Sequence, residues 1–232
     1  KTKVDWQEKH VLLKTIFDTK IRSRYATFDV AFGKYQRPTF QNTTWERAQY
    51  EVSAHKWADL SDGSHGVSLL NDCKYGYNVG DQTLGLSLLR APTYPDKDAD
   101  NGSHEFTYSV LLHEDVSCQK TIKEAYDLNL ESLVKEIPTS KANGIRPLPK
   151  KHSFIELKSQ GVFLDTIKLA EKSNDYIFRF FESLGRREVL KVNSGLKLID
   201  ETDLLENSKN KEGTNMIFGP YKVKTFIGRL DL

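Results

Sequence analysis

The chain has 232 residues, of which 38% are hydrophobic and 28% charged; this composition is typical of a globular protein and excludes a disordered one. Thirty-four Lys and Arg nearly balance 32 Asp and Glu, and the net charge of +2 argues against the concentrated basic face of a nucleic-acid-binding protein. No apolar run reaches the roughly 18 residues of a membrane-spanning helix.

The chain opens on Lys1 without an initiator Met or an apolar leader, and patterned sequence follows at once. We therefore predict that it is a piece cut from a longer polypeptide, with the mature end of a processed protein as the alternative. The two cysteines, Cys73 and Cys118, have no Cys or His partner at metal-ligand spacing, and a single disulfide between them stays open. So few cysteines favour a reducing compartment. Sequons at Asn42 and Asn101 weakly favour a secretory route.

Strand patterns dominate the chain. Phe28, Val30 and Phe32 share one face of residues 26–32 while polar residues take the other, which predicts a half-buried strand. After a mostly apolar run at residues 11–17, further strand-like runs lie at residues 50–52, 66–70, 84–89, 105–112, 153–157, 161–170, 175–183, 188–192, 196–205 and 216–227. Helical spacing is convincing only at residues 121–134.

These patterns predict a mainly β protein with one short helix. A large antiparallel β-sandwich would occupy residues 1–137, and a smaller C-terminal β-sandwich would occupy residues 153–232. Proline, glycine and lysine mark residues 138–152 as the linker between these domains.

The loop between the runs at 66–70 and 84–89, Asn71-Asp72-Cys73-Lys74-Tyr75-Gly76-Tyr77, is the strongest candidate for function. A structural turn uses Asn, Asp and Gly, but it does not require a lysine and two tyrosines beside them. Loops on rigid strands frequently carry binding or catalytic residues. The alternative, equally open from composition, is a hairpin turn whose tyrosines pack back on the sheet.

The sequence contains no self-contained active site. Its six histidines are scattered without metal-ligand spacing, and no glycine-rich phosphate loop opens a helix. The alternating Asp96, Asp98 and Asp100 resemble a calcium loop, but Asn101 and Thr107 stand where an EF-hand needs Gly and Glu. We expect a solvated surface loop there. Trp45 and Trp57 could stack on sugar rings or serve as ordinary core residues.

Several phrases occur together and in a fixed order: His55-Lys56-Trp57-Ala58-Asp59-Leu60-Ser61, the run from Gly66 to Tyr77, Leu86-Ser87-Leu88-Leu89-Arg90-Ala91-Pro92, His104-Glu105-Phe106-Thr107-Tyr108 and Asp203-Leu204-Leu205-Glu206-Asn207. With Arg37-Pro38-Thr39 and Asn42-Thr43-Thr44-Trp45, they resemble the C-terminal region of glycoside hydrolase family 38 α-mannosidases. The loop is most similar to the branch of bacterial, vacuolar and cytosolic enzymes, which favours a cytoplasmic or vacuolar location.

The resemblance implies a portion of a galactose mutarotase-like supersandwich, followed by a smaller sandwich. It also implies a retaining, metal-assisted α-mannosidase that releases terminal α-linked mannose from oligosaccharides. The nucleophile, the acid/base and the zinc or other divalent metal would belong to an N-terminal barrel. No stretch of this chain resembles that barrel, so we expect no catalytic residue, metal ligand or cofactor here. The expected partners are the barrel and a helical domain of the same polypeptide.

Under the resemblance, the loop would form part of the wall of the substrate cleft, and the region would complete and stabilise that cleft. The candidate cleft residues are Asn71, Asp72, Lys74, Tyr75 and Tyr77. Asp72 and Lys74 would contact sugar hydroxyls or hold barrel residues, and Tyr75 or Tyr77 would stack or hydrogen-bond. The alternative is a carbohydrate-binding or purely structural β-sandwich module.

An uncovered apolar surface is the remaining expectation, since a partner domain would normally bury it. Residues 11–17 and the segment around Trp45 and Trp57 are the candidates, and self-association could follow through them.

Overall fold

The computed structural model describes the whole chain except residues 81, 115–116, 137–148, 193–194, 210–215 and 231–232. The described residues fold as two compact units, Lys1–Leu130 and Glu131–Leu232. Strands predominate in both units, and every strand pair is antiparallel. No described helix has both the length and the apolar character that crossing a membrane would require.

The described part of the first unit contains eleven strands and two helices. In chain order they are β1 (Thr2–Trp6), β2 (Leu13–Asp18), β3 (Tyr25–Val30), β4 (Gly33–Pro38), α1 (Thr44–Arg47), β5 (Val52–Ser53), β6 (Trp57–Ser61), β7 (Gly66–Asn71), β8 (Gly76–Gly80), β9 (Thr83–Leu89), β10 (Gly102–Phe106), β11 (Tyr108–His113) and α2 (Gln119–Asn129).

Two of the sheets in this unit form a sandwich. The five-stranded sheet has the order β11-β7-β6-β3-β4, the four-stranded sheet has the order β2-β9-β8-β5, and β1 pairs with β10 separately. Phe28 and Leu69 of the first sheet share one hydrophobic core with Leu84, Leu86 and the Tyr77 ring of the second, and each is at most 1% exposed. Burying each leucine or phenylalanine stabilises the fold by about 1.5–3 kcal/mol.

Strand β3 is buried on both faces, unlike the half-buried strand that alternation predicted. Thr27 and Asp29 are buried as well as Phe28. The Asp29 carboxylate can be buried because it accepts a hydrogen bond from the backbone N–H of Lys56 at 2.9 Å. Phe32 lies beyond the strand with a φ of 59° and is 39% exposed, so it does not continue the apolar face.

The expected uncovered apolar residues are only partly observed. Val11, Leu12, Ile16 and Trp45 are exposed, with Trp45 at 83%. Trp57 is only 1% exposed because β6 lies within the five-stranded sheet, so of the two roles considered for it the core role is the one observed, and it is not part of an uncovered surface.

The second unit is a smaller β structure. Its described strands are β12 (Val162–Leu169), β13 (Tyr176–Glu182), β14 (Glu188–Val189), β15 (Leu196–Thr202), β16 (Ile217–Phe218) and β17 (Val223–Leu230). They form a four-stranded sheet in the order β12-β13-β17-β15 and a two-stranded sheet, β14-β16. Phe178, Phe180, Phe218 and Phe226 are completely buried between these strands.

The mainly β, antiparallel fold is confirmed, but individual elements differ, and β1, β4, β6 and β8 were not predicted. The predicted helix ends at Asn129 rather than Val134, and a second helix, α1, is stabilised by a capping box between Thr43 and Glu46. Residues 153–157 form only an isolated bridge, Leu157 to Val192, instead of a strand. Most of the predicted linker, residues 138–148, lies outside the described residues, and the predicted domain boundaries stay a prediction.

Candidate functional site

The candidate loop is held by the side chain of Asn71, which ends β7 and is 1% exposed. Its Oδ1 accepts hydrogen bonds from the backbone N–H groups of Cys73, at 2.9 Å, and Lys74. Its Nδ2 donates to the carbonyl oxygen of His55, at 3.1 Å, and to the hydroxyl of Tyr77. An asparagine that bonds to the backbone two residues ahead fixes a tight turn. Asn71 therefore supports the loop from beneath.

Tyr77 belongs to the core and has no exposed surface. Its hydroxyl donates to the carbonyl of His55 at 3.3 Å, and its ring meets Phe28 edge-on. Burial raises the pKa of this phenol well above its ordinary value, so it stays neutral. Because the side chains of Asn71 and Tyr77 are both buried, the five predicted cleft residues reduce to three that reach the surface of this unit.

Asp72 ties the loop to the segment between β10 and β11. Its carboxylate accepts the backbone N–H of Thr107 at 2.9 Å, and its own N–H donates to the Thr107 carbonyl at 3.2 Å. Burial alone would raise the pKa of Asp72, but hydrogen bonds from Cys73 and Thr107 outweigh it and hold the pKa below its usual value. Asp72 is therefore an ionised group that positions the loop.

Cys73 is an exposed residue whose thiol has a raised pKa. Burial of the sulfur, followed by the hydrogen bond to Asp72 and its charge, raises the pKa of the thiol to about 11. The thiolate is the nucleophilic form, so Cys73 is a poor nucleophile at neutral pH. Cys73 and the buried Cys118 do not form a disulfide with each other.

The loop separates two surface cavities of the first unit. Lys74 and Gly76 line a groove of about 1,020 Å³, which we call the large groove. Asp72, Cys73 and Tyr75 line a smaller cavity of about 460 Å³ on the other side. Tyr75 is 62% exposed, and its ring stands edge-on to His55 with the centroids 6.0 Å apart.

Lys74 is the loop residue that faces the large groove. Its ammonium group lies 4.6 Å from the centre of the Phe106 ring, a favourable cation–π distance. No carboxylate among the described residues forms an ion pair with it. The ammonium donors of Lys74 can therefore bind a ligand in the groove.

The large groove contains groups of both charges. Its ionisable side chains are His10, Glu51, Lys74, Arg90, Asp100 and His104. Asp100 accepts the backbone N–H groups of Ala91 at 2.8 Å and Arg90 at 3.0 Å, and these bonds lower its pKa. Two exposed rings, Tyr50 and Tyr94, also border the groove. Converging polar groups beside aromatic rings are suited to a polar organic ligand.

A metal centre is not formed by the described residues: no three His, Cys, Asp or Glu side chains among them lie close enough to share an ion. The groove residues Tyr50, Glu51 and Asp100 were not predicted as site residues. Sequence pattern alone could not find them, since they reach the groove that Lys74 lines only through strand pairing, β5 with β8 and β8 with β9, and through the bonds of Asp100 to Arg90 and Ala91.

Comparison with protein families gives two matches. Residues 1–98 match the family model described as "Glycosyl hydrolases family 38 C-terminal domain". Residues 161–226 match "Glycosyl hydrolases family 38 C-terminal beta sandwich domain". The two models fall one in each compact unit.

Curated relatives agree with these matches. The chain is 40% identical to Alpha-mannosidase G of Dictyostelium discoideum over 97% of its own length and 21% of that protein. It is 39% identical to Alpha-mannosidase 2C1 of Mus musculus, over 97% of the chain and 22% of the mouse protein. The chain thus spans about a fifth of the length of these relatives.

The fold is also similar to that of solved structures. An alpha-mannosidase from Enterococcus faecalis V583 superimposes with a TM-score of 0.76, at 17% identity, over 97% of this chain and 26% of that one. A second Enterococcus faecalis structure, a protein in the glycosyl hydrolase family 38, gives a TM-score of 0.78 at 15% identity, over 97% of this chain and 27% of that one. At these identities the likeness concerns the fold alone.

Proposed function

Because the chain belongs to glycoside hydrolase family 38, as a C-terminal region, we propose that the whole polypeptide hydrolyses terminal α-linked mannose from oligosaccharides. One observation carries this proposal: the relatives that align with 97% of the chain are named alpha-mannosidases. The region described here is the non-catalytic part of that enzyme. Its role is to complete and stabilise the substrate cleft.

The groups that break the glycosidic bond are assigned to the rest of the polypeptide. A retaining glycosidase needs a carboxylate nucleophile and a second carboxyl group that acts first as acid and then as base. We place both in an N-terminal barrel accompanied by a helical domain. We assign zinc to that barrel as well; the described residues of this chain do not form a metal site.

The residues of this chain bind and position the sugar. The Lys74 ammonium group donates to sugar hydroxyls in the large groove, since it forms no ion pair with a carboxylate of the described residues. Tyr75 offers an exposed ring for stacking on the opposite side of the loop. Asp72 holds the loop against Thr107, while Asn71 and Tyr77 support it from the core.

The test uses the complete polypeptide. We expect release of mannose from an aryl α-mannoside with a kcat/KM roughly 100-fold or more above that for the matching β-mannoside and α-glucoside. A site that hydrogen-bonds specific hydroxyls of one sugar rejects sugars in which a substituent has the opposite configuration. A preference for the glucoside would contradict the proposal. Binding of α-mannobiose without any hydrolysis would favour a carbohydrate-binding module instead.

A further inference from the structure

Ser87 and Gly76 form part of the floor of the large groove, and they belong to a row of paired residues on adjacent strands. Lys14 of β2 pairs with Ser87 of β9, Ser87 pairs with Gly76 of β8, and Gly76 pairs with Ser53 of β5. Side chains alternate between the faces of a sheet, so this row lies opposite the buried Leu86 and Leu88. The row therefore faces outward, away from the core.

Glu51 extends over this floor and is fixed at both carboxylate oxygens. Its Oε1 accepts a hydrogen bond from the Lys14 ammonium group, and its Oε2 accepts one from the Ser87 hydroxyl at 2.9 Å. Both charged side chains are partly buried, with 26% of Glu51 and 18% of Lys14 exposed. An ionised carboxylate can accept about four hydrogen bonds, so two positions are left for a ligand.

Gly76 keeps the carboxylate accessible. A Cβ atom at this position would lie 3.0 Å from the Cβ of Ser87 and 3.8 Å from Oε2 of Glu51. Any side chain at residue 76 would therefore crowd the floor and shield Glu51 from the groove.

The surroundings indicate the class of ligand. Tyr50, next to Glu51, and Tyr94 are 68% and 88% exposed and border the same groove. Aromatic faces pack on the C–H faces of sugar rings, and a fixed carboxylate accepts from sugar hydroxyls. Lys14 neutralises Glu51, which disfavours a metal ion, and the carboxylate itself repels a phosphate. A neutral, hydroxyl-rich ligand fits best.

We propose that Glu51 is a specificity-determining residue, whose carboxylate accepts hydrogen bonds from the hydroxyls of the sugar on the leaving-group side of the cleaved mannoside. The inference rests on the proposed function and adds a subsite to it. The catalytic carboxylates assigned to the barrel surround the terminal mannose, and a groove of about 1,020 Å³ has room for the next sugar.

The test compares two substrates on the complete polypeptide. Glu51→Gln should raise KM for α-mannobiose about 10-fold, because a hydrogen bond to a charged acceptor is lost, and leave the kinetics on an aryl α-mannoside within about twofold. The aryl group lacks the hydroxyls that Glu51 binds. Ser87→Ala, which removes one of the groups that fix Glu51, should raise KM for α-mannobiose about threefold without loss of the ion pair with Lys14.

Glu105→Gln is the matched control, since Glu105 forms a surface ion pair with Lys3 at 3.1 Å in the same unit. Unchanged KM for α-mannobiose in Glu51→Gln would overturn the subsite and leave the proposed function intact. Equal losses on both substrates would also overturn it, since they would indicate a purely structural role. Wild-type polypeptide that does not hydrolyse either α-mannoside would instead refute the proposed function.

Discussion

Replacing Asn71 with alanine tests whether this buried side chain holds the candidate loop. The substitution removes acceptors for the N–H groups of Cys73 and Lys74, and removes the donor to the His55 carbonyl and the Tyr77 hydroxyl. Each lost hydrogen bond costs about 0.5–1.5 kcal/mol, and more where the partner remains buried without a replacement. Four such bonds, partly replaced by water at the surface, correspond to about 2–4 kcal/mol of local stability.

Amide hydrogen exchange of the complete polypeptide measures this local stability directly. A loss of 2 kcal/mol raises the population of the open state about 30-fold, so amides of residues 71–77 should exchange at least that much faster. Asn101→Ala is the control, because Asn101 is exposed and its side chain makes one long bond, 3.4 Å, to Asp98. Exchange of the loop amides within about threefold of the wild type would refute the reasoning.

Two further predictions concern the second unit and the loop thiol. Glu182→Gln should destabilise the turn after β13 by about 1–3 kcal/mol, because the buried carboxylate accepts the backbone N–H groups of Leu184, Gly185, Arg186 and Tyr221. Amide hydrogen exchange of residues 184–186 measures this loss, with Glu171→Gln as the control because the Glu171 side chain is 74% exposed. Equal exchange rates in the two variants would contradict the prediction. With a thiol pKa of about 11, about a thousandth of Cys73 should be ionised at pH 8. Asp72→Asn should lower that pKa and speed the alkylation of Cys73 by iodoacetamide several-fold. A slower or unchanged alkylation rate would be inconsistent with the account.

Local pattern predicted β7 before the loop and β9 farther along the chain, but it missed β8 (Gly76–Gly80), which begins within the loop itself. Leu69 and Leu70 precede it in β7, Leu84 and Leu86 follow it in β9, and all four are buried. Apolar runs bounded by turn residues specify strands because only such segments bury enough surface in a sandwich. The family resemblance, carried by residues 55–92 in particular, predicted that the chain corresponds to the C-terminal region of family 38 proteins.

The roles of individual loop residues depended on contacts between distant segments. Tyr75 and Tyr77 are the same residue type only two positions apart, yet Tyr75 is exposed and Tyr77 is completely buried. They differ because only Tyr77 lies in β8, where it pairs with Val52. Glu51 is a further example: it meets Lys14 and Ser87, residues 37 and 36 positions away, only after β2, β8 and β9 have paired. Strand register creates the groove, and register between distant strands is not readable from a single segment.

The central claim, that this region contributes to the substrate cleft, depends most directly on Lys74. Lys74→Met removes the ammonium group but keeps an apolar stem against Phe106. In the complete polypeptide we expect kcat/KM for α-mannobiose to fall about 10- to 100-fold, the loss of one charged hydrogen bond to the sugar, with a melting temperature within roughly 2 °C of the wild type. Lys3→Met, on a surface lysine that is 78% exposed, should leave both unchanged. Wild-type kcat/KM in Lys74→Met would contradict the cleft role, as would a loss of activity matched by a loss of stability.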